Sequence, residues 1–308
     1  MIRKPKFLPL LLLALVPMLN DTSKASAAGR AAELPAQPLV QHAIQARIDP
    51  DAGTIQATDA LILPDDTGQV QLHLHAGLSP EVIGGEAVLE RIGRAGHLER
   101  FRLTPGGPGP ITLRYAGRIR HDLQAVREGM GRARQQTIGT IDADGVFLSG
   151  YTGWYPSLPG SLVTFTLDVE LPPGWLAVSQ GAGPVVEDGG RSQQVRWQER
   201  QPQDEIHLAA APFKLYRQPT PVAEAQAYLR LPDDALAQRY LDVTADYLIR
   251  YSRLIGDYPY DKFALVENFW ETGYGMPSFT LLGSRVLRLP FILHSSYPHE
   301  ILHNWWGN

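Results

Sequence analysis

The sequence predicts a mixed fold, mostly β-sheet at first and α/β from about residue 218 onward. Segments in which apolar and polar residues alternate fill residues 40–217, and Gly, Pro and Asp residues separate these segments. A long stretch with apolar residues at spacings of three and four follows them. A chain of 308 residues, of which 44% are hydrophobic and 19% charged, is long and apolar enough to bury the cores of about two domains.

Residues 1–27 have the pattern of a secretory signal peptide. Arg3, Lys4 and Lys6 precede an apolar run from Phe7 to Leu19, and small residues at positions 25–27 offer a cleavage site. This run is shorter than the ~20 residues of a membrane-spanning helix, so we expect no stable membrane insertion after cleavage. An uncleaved N-terminal anchor is the alternative. Residues 28–39 are predicted to be a short linker, and the protein is predicted to be exported, either periplasmic or secreted.

The composition excludes several kinds of site. The chain has no cysteine, so it has no disulfide, no thiolate nucleophile and no thiolate metal ligand. A bound metal must therefore be held by His, Asp or Glu. The formal net charge of −4, without a run of Lys and Arg after the N-terminus, argues against a nucleic-acid partner.

Residues 40–217 are predicted to form a largely antiparallel β-sandwich. In AIQARID, VQLHLH and VTFTLDVEL every second residue is apolar, which is typical of strands with one buried face. His73 and His75 fall on the polar face of their strand and are predicted to be surface residues rather than metal ligands. Residues 120–136 are rich in Arg and in helix formers, which predicts a short helix or a loop at the edge of the domain. That segment is either a basic patch for an acidic partner or a solvated excursion.

Residues 218–308 are predicted to form the first part of a second, mixed α/β domain. Within residues 231–256 the apolar spacing predicts a long amphipathic helix, with Asp233 at its start and Gly256 after its end. The segments KFALVEN and RVLRLPFIL are predicted strands. The chain closes with SSYPHEILHNWWGN, where Ser296 is the predicted N-cap of a second helix.

The closing segment contains His-Glu-x-x-His, a pattern that predicts a zinc site. On a helix, His299 and His303 lie one turn apart on the same face and can direct both imidazoles at one metal ion. Glu300 is rotated by about 100° from His299, so it can take a proton from an attacking water without being a ligand. His299 and His303 are therefore candidate metal ligands, and Glu300 is the candidate general base. The alternative is a helix with two polar histidines, on which Glu300 pairs with a neighbour.

The residues around this pattern resemble one family of zinc peptidases. HEILHNWWGN is similar to the zinc-helix signature of the alanyl-aminopeptidase-like family (the membrane alanyl aminopeptidase family) of gluzincin metallopeptidases, with Asn304 where Gln is more usual. Upstream, HAIQARIDPDAGTIQATDALIL, FLSGYTGWYPSLPG and GDYPYDKFALVEN resemble further segments of that family. The resemblance implies Zn²⁺ as cofactor and a peptide as substrate. It also implies an N-terminal β-sandwich followed by the first part of a thermolysin-like catalytic domain.

The same resemblance implies a substrate-binding strand upstream of the zinc helix. Family aminopeptidases carry a Gly-Ala-Met-Glu-Asn strand, whose backbone aligns the substrate and whose glutamate binds the free amino terminus. The matching residues here are YGMPS, so Tyr274, Gly275 and Met276 are candidate substrate-binding residues. Pro277 replaces the glutamate, and proline has neither an anionic group nor an N–H to donate. Glu271 is either a further substrate-binding carboxylate or an ordinary loop carboxylate.

The family pattern also includes residues that do not occur within these 308 positions. The third zinc ligand of the family is a glutamate about twenty residues beyond the second histidine, and the transition-state tyrosine comes later still. Two hypotheses follow. The chain is the N-terminal portion of a zinc metallopeptidase that is aminopeptidase-like without strict aminopeptidase specificity, or it is a non-catalytic exported protein that binds peptides. With two of the usual three protein ligands, we expect weak zinc binding and little turnover.

Overall fold

Alternating apolar residues form strands through most of the chain. The computed structural model describes residues 37–65, 67–127 and 133–306, so the predicted signal peptide and nearly all of the linker lie outside the described residues. The first seven strands are β1 (Leu39–Asp49), β2 (Thr54–Ile62), β3 (Val70–His75), β4 (Leu78–Gly84), β5 (Ala87–Ala95), β6 (Leu98–Pro105) and β7 (Ile111–Arg118). The next nine are β8 (Gln124–Arg127), β9 (Ala133–Gln136), β10 (Thr140–Asp142), β11 (Gly145–Leu148), β12 (Leu162–Leu171), β13 (Leu176–Val178), β14 (Ala182–Asp188), β15 (Gln193–Gln203) and β16 (Leu208–Ala211).

The second part of the chain adds five strands and two helices. They are β17 (Lys214–Gln218), β18 (Glu224–Leu229), α1 (Asp234–Leu254), β19 (Lys262–Asn268), β20 (Gly273–Met276), β21 (Phe279–Gly283) and α2 (Ser296–Leu302). Short 3-10 helices span Gly150–Thr152, Val286–Arg288 and Ile292–His294. In the described part of the chain, no helix is both long enough and apolar enough to cross a membrane.

The N-terminal part is built around a seven-stranded sheet with the order β14-β15-β12-β1-β2-β7-β4. Its neighbours are antiparallel except for β1 and β12, which run parallel. A four-stranded sheet (β10-β11-β16-β13) and a three-stranded sheet (β3-β6-β5) share one apolar core with it, because Ile44, Val146 and Leu72 belong to the same buried cluster. The predicted β-rich N-terminal part is therefore confirmed.

The described residues of the segment predicted as a short helix or loop include two paired strands. Strands β8 and β9 pair antiparallel within residues 120–136, and residues 128–132 between them lie outside the described part. In the described residues, cross-strand pairing thus outweighs helix propensity, which is a weak determinant where other contacts are available. For residues 124–127 and 133–136 the prediction of a helix is wrong.

The C-terminal part is a five-stranded mixed sheet with the order β17-β18-β19-β21-β20. Its central strand, β19, is buried along its whole length. Ala264 and Val266 pack into the core of the N-terminal sheets, whereas Phe263 and Leu265 pack against the helices. Burial on both faces explains why the four central residues of this strand, Phe263 to Val266, are all apolar. The sheet begins with β17, so the predicted domain boundary between residues 217 and 218 lies within its first strand.

Helix α1 agrees with the sequence prediction at both ends. The Asp233 carboxylate accepts a hydrogen bond from the Leu236 N–H at 2.9 Å and caps the helix, which ends two residues before Gly256. Tyr240 and Leu248 lie on its buried face against the five-stranded sheet. This packing holds α1 in place, and the second helix, α2, packs against it.

The segment RVLRLPFIL is not the strand that its apolar content predicts. It forms the two 3-10 helices Val286–Arg288 and Ile292–His294, with Pro290 between them. Proline has no N–H for a strand ladder and its φ is fixed, so an apolar run around it is a poor strand. The predicted cap is also wrong: α2 begins at Ser296, and no serine side chain caps it. The hydroxyl of the preceding Ser295 donates to the Phe291 carbonyl instead.

Candidate functional site

Helix α2 is held against α1 by its apolar face. Tyr297 is fully buried, its hydroxyl lies 2.5 Å from the Thr244 hydroxyl, and its ring meets the Tyr240 ring edge to face at 4.8 Å. Ile301, one turn later, is buried in the same cluster. Because one face of the helix is fixed in this way, its other face presents the polar side chains of the His-Glu-x-x-His pattern.

The two histidines of this pattern direct their Nε2 atoms at each other. The Nε2 atoms of His299 and His303 are 3.1 Å apart. Two ligands of a tetrahedral zinc ion, each about 2.05 Å from the metal, would be about 3.3 Å apart. His303 Nδ1 lies 3.1 Å from the Trp306 carbonyl oxygen, which can only accept, so this nitrogen is assigned the hydrogen. The Nε2 lone pair of His303 then faces His299, as a metal ligand with a second-shell partner requires.

Glu300 lies against the backbone of the predicted substrate strand. A Cβ atom added at Gly275 would lie only 2.7 Å from Glu300 Oε2 and 3.1 Å from His303 Cδ2. The absence of a side chain on Gly275 therefore allows strand β20 to approach the carboxylate and the imidazole closely. β20 is the last strand of its sheet and pairs only with β21 in the described part, which leaves its other edge free for an extended peptide.

Asn304 joins the end of helix α2 to the turn that follows β20. Its buried Oδ1 accepts a hydrogen bond from the Ser278 N–H at 2.7 Å, and its Nδ2 donates to the Ile301 carbonyl at 2.9 Å. Ser278 has a φ of +66°, which a residue other than glycine adopts only where its surroundings hold it. The side-chain amide of Asn304 thus fixes the distance between β20 and α2, which is called the histidine helix below because it carries His299 and His303.

Replacing Gly275 with alanine should damage the site and leave the fold intact. The new methyl group would displace the carboxylate of Glu300 and the ring of His303, and a misplacement of about 1 Å can lower a catalytic rate by about 10²-fold. Gly273→Ala is the matched control, because its Cβ would meet only Leu282 Cδ2 at an ordinary 3.8 Å. Zinc affinity, peptide cleavage and the thermal midpoint should be measured for both. A Gly275→Ala protein that binds zinc and cleaves as the control does would contradict this geometry.

The side chains of the other predicted substrate-binding residues make contacts elsewhere. Met276 is buried in the core of the N-terminal sheets, and the Tyr274 ring stacks on Phe147 with centroids 6.3 Å apart, so both side chains lie away from α2. The Glu271 carboxylate accepts a hydrogen bond from the Arg285 N–H at 3.1 Å, in the loop after β21. Of the predicted set, the structure thus brings Gly275 to the histidine helix. A substrate-binding role for Tyr274, Met276 and Glu271 stays a prediction.

The described residues contribute two histidines to the candidate metal site. Nowhere in residues 37–65, 67–127 and 133–306 do three or more His, Asp or Glu side chains form a group that could hold a metal ion. The donor chemistry and spacing of His299 and His303 therefore fit two positions around a zinc ion, and the third protein ligand of a catalytic zinc site is not among these residues.

A second cluster of histidines was not foreseen from the sequence. His75 is 7% exposed, and its Nε2 lies 2.8 Å from His121 Nε2; His97 completes the cluster, 5.5 Å from His121 between ring centroids. The prediction that His75 is a surface residue is wrong, because residues far apart in sequence fold over it. Burial, with the neighbouring His121, His97 and Arg94, lowers the pKa of His75 to about 4. His75 Nδ1 accepts the Gly77 N–H, so its Nε2 carries the hydrogen and is not a free metal ligand.

Comparison with known proteins finds similarity in structure and none in sequence. No protein-family model matches the chain, and no curated protein matches it. Two solved structures of a glutamate-to-alanine variant of the M1 zinc metallopeptidase from Deinococcus radiodurans are similar, one of them bound to a Tyr-Ser-Ala substrate. For each, the TM-score is 0.56 and the sequence identity 15%, over 88% of this chain and 64% of the other. The chain thus spans less than two thirds of the length of these proteins and shares the fold of an M1 zinc metallopeptidase over that length.

Proposed function

We propose that this chain functions as a zinc-dependent metallopeptidase that hydrolyses peptide bonds and is aminopeptidase-like. One observation carries the proposal: the Nε2 atoms of His299 and His303 converge at 3.1 Å beside Glu300, whose carboxylate lies against the edge strand β20 at Gly275. A peptide laid along that edge would pass the carboxylate and both imidazoles. The fold shared with M1 zinc metallopeptidases supports the same function.

In this proposal each residue has a distinct task. His299 and His303 hold zinc through Nε2, and zinc, when bound, would supply a Lewis acid for the scissile carbonyl. Glu300 accepts a proton from the attacking water and passes it to the leaving nitrogen. The backbone of β20 aligns the peptide as an added strand. Asn304 holds the strand and the helix at the distance that these steps need.

Pro277 is proposed to relax the requirement for a free amino terminus. It stands where family aminopeptidases have the glutamate that binds this group, and proline provides neither a negative charge nor an N–H. Peptides with a blocked amino terminus should therefore be bound and cleaved along with free ones.

Removal and restoration of zinc tests the function directly. The chain is first treated with a chelator, then zinc is added back, and cleavage of fluorogenic peptides is followed together with zinc binding. We expect weak zinc binding, and slow cleavage that depends on added zinc, since two protein ligands are present among the described residues. In His299→Ala, zinc affinity should fall by at least about 100-fold, because even outer-shell partners of a metal contribute 10–100-fold.

Two outcomes would decide against this proposal. If His299→Ala bound zinc as the unaltered chain does, the metal would not be held by the histidine helix. If the chain bound peptides equally with and without zinc and cleaved none of them, it would be a non-catalytic peptide-binding protein.

A further inference from the structure

Lys262 is a buried cation beside the turn that joins β20 to β21. It is the first residue of β19 and is 1% exposed. Its Nζ donates to the Ser278 hydroxyl at 2.6 Å and to the Ser278 carbonyl at 3.1 Å, and a third hydrogen bond goes to the Ser179 carbonyl. A buried charge is costly unless hydrogen bonds compensate for it. Two of the three bonds that compensate for this charge are made to the turn.

Ser278 has each of its polar groups bonded to a neighbour. Its N–H donates to Asn304 Oδ1, and its hydroxyl accepts from the Lys262 ammonium. Its carbonyl accepts from the same ammonium and from the Ala264 N–H at 3.0 Å. These contacts hold Ser278 at a φ of +66°, which residues other than glycine rarely adopt. Lys262 therefore supplies two of the hydrogen bonds that keep this turn in an uncommon conformation.

The turn is close in sequence to the point where β20 meets the histidine helix. Gly275 lies three residues before Ser278, and a Cβ atom on Gly275 would come within 2.7 Å of Glu300 Oε2. The two residues between them are Met276, which is buried, and Pro277, whose φ is fixed by its ring. Because this link is short and stiff, a shift of the turn would move the Gly275 backbone relative to the Glu300 carboxylate.

The remaining contacts of Lys262 are made mainly with the N-terminal sheets. Ser179 directly follows β13, and the centroid of the Trp197 ring on β15 lies 5.0 Å from Nζ. The face of an aromatic ring attracts a cation. The carboxylates of Glu199, also on β15, and of Asp261 attract the ammonium as well. Lys262 thus holds the turn, and β20 with it, at a fixed place relative to the N-terminal core.

We propose that Lys262 is a positioning residue of the proposed peptidase, which holds β20 at the distance from Glu300 that cleavage of a bound peptide needs. It acts through the Ser278 turn rather than through contact with the peptide or the metal. The inference deepens the proposed function and rests on it for the role of Glu300. Its effect on the turn needs neither zinc nor turnover, so that effect is measured separately.

Amide hydrogen exchange in Lys262→Met, without metal, tests the effect on the turn. Methionine is also a long unbranched side chain, but it donates no hydrogen bond. Exchange of the Ser278 amide, followed within residues 273–283, should become at least about 10-fold faster, as expected when hydrogen bonds from a charged group are lost. Lys214→Met is the matched control, because Lys214 bonds to the exposed Asp234 instead, and it should leave this exchange unchanged.

Steady-state cleavage with zinc tests the consequence for the proposed reaction. A peptide can still pair with the backbone of β20 in Lys262→Met, so KM should stay within about 3-fold of its value in the unaltered chain. The value of kcat should fall by at least about 10-fold, since a misplacement of about 1 Å can cost about 10²-fold. A merely structural role would lower the thermal midpoint and leave kcat per folded molecule unchanged.

A double-variant cycle shows whether the effect passes through Ser278. Ser278→Ala removes the hydroxyl that accepts from Lys262, so it should also speed exchange of the turn and lower kcat. The double variant should lose no more than Lys262→Met alone, because the hydroxyl already lacks its donor in that variant. If Lys262→Met does not fold, Ser278→Ala alone carries the same test.

Several results would overturn the inference. They are an unchanged exchange of the turn in Lys262→Met, a raised KM with unchanged kcat, losses that add in the double variant, and equal effects in Lys214→Met. Faster exchange of the turn in a chain that cleaves no peptide, with or without Lys262, would count against the proposed peptidase function alone. Zinc-dependent cleavage with the same kcat in Lys262→Met would count against this inference alone.

Discussion

Replacing Glu300 with glutamine is expected to reduce zinc-dependent peptide cleavage by about 10²–10⁴-fold, the usual contribution of a positioned general base. Glutamine keeps the shape of the side chain, so the contact with Gly275 remains, but its amide cannot take a proton from water. Zinc affinity should change little, because the metal is assigned to the imidazoles of His299 and His303. Cleavage rates and zinc titrations on the same preparation separate the two effects.

Glu271→Gln is the matched control for this experiment. Glu271 precedes β20 by two residues in the sequence. Its carboxylate accepts a hydrogen bond from the Arg285 N–H in the loop after β21. We expect cleavage by this variant to stay within about 3-fold of the unaltered chain. An equal loss of activity in both variants would instead give Glu271 the substrate-binding role that the sequence allows. Unchanged cleavage in Glu300→Gln would remove Glu300 as the general base.

The parts of this molecule that could be predicted from sequence are those set by local geometry. A spacing of four residues on a helix is enough to bring His299 and His303 together, whatever else the chain does. Asp233 caps α1 through a hydrogen bond to a residue three positions away, which the sequence also contains. Alternation of period two identified β1, β3 and β12 because one face of each strand is buried.

The features that could not be predicted depend on residues far apart in sequence. Residues 202–205 line a cavity together with Tyr274 to Met276 of β20, about 70 positions later, and no local pattern encodes that contact. His75 reads as a polar-face residue of β3 until His97 and His121 are folded over it. The failure at RVLRLPFIL has a different cause, since Pro290 was present in the sequence and outweighs the apolar content around it.

The burial and the hydrogen bonds of Lys262 are the clearest example of features that could not be predicted from the sequence. In sequence it is the polar first residue of KFALVEN, yet its side chain is buried, with the residue 1% exposed. Its Nζ donates to the Ser179 carbonyl at 2.9 Å, to the Ser278 carbonyl at 3.1 Å and to the Ser278 hydroxyl at 2.6 Å. The ring centroids of Trp197 and Phe279 lie 5.0 and 5.1 Å away. The ammonium therefore links the N-terminal sheets to the turn that Asn304 holds from the other side.

Burial lowers the pKa of Lys262 from 10.5 to about 7, although Glu199 and Asp261 act to raise it. In the unfolded chain the same lysine keeps its proton to about pH 10.4. Between these values the unfolded state binds one proton more than the folded state, so the free energy of unfolding rises with pH. The slope is about 1.4 kcal/mol per pH unit at most, or about 2–3 kcal/mol between pH 7.5 and 9.5. Below pH 7 both states hold the proton and this contribution to the slope vanishes.

Lys262→Met should abolish this rise in stability. Denaturant unfolding at several values between pH 7.5 and 9.5 gives the free energy of unfolding for each protein. The buried histidines with lowered pKa values, such as His75, titrate below this window, and the buried tyrosines with raised pKa values, such as Tyr155, titrate above it. Lys214→Met is the control, because the hydrogen bond to Asp234 raises the pKa of Lys214 above its ordinary value and outside the window. Parallel curves for Lys262→Met and the unaltered chain would show that Lys262 keeps its proton throughout. If only Lys262→Met loses the slope, the group that releases a proton on folding is Lys262. This is the lysine that holds the Ser278 turn beside the candidate active site.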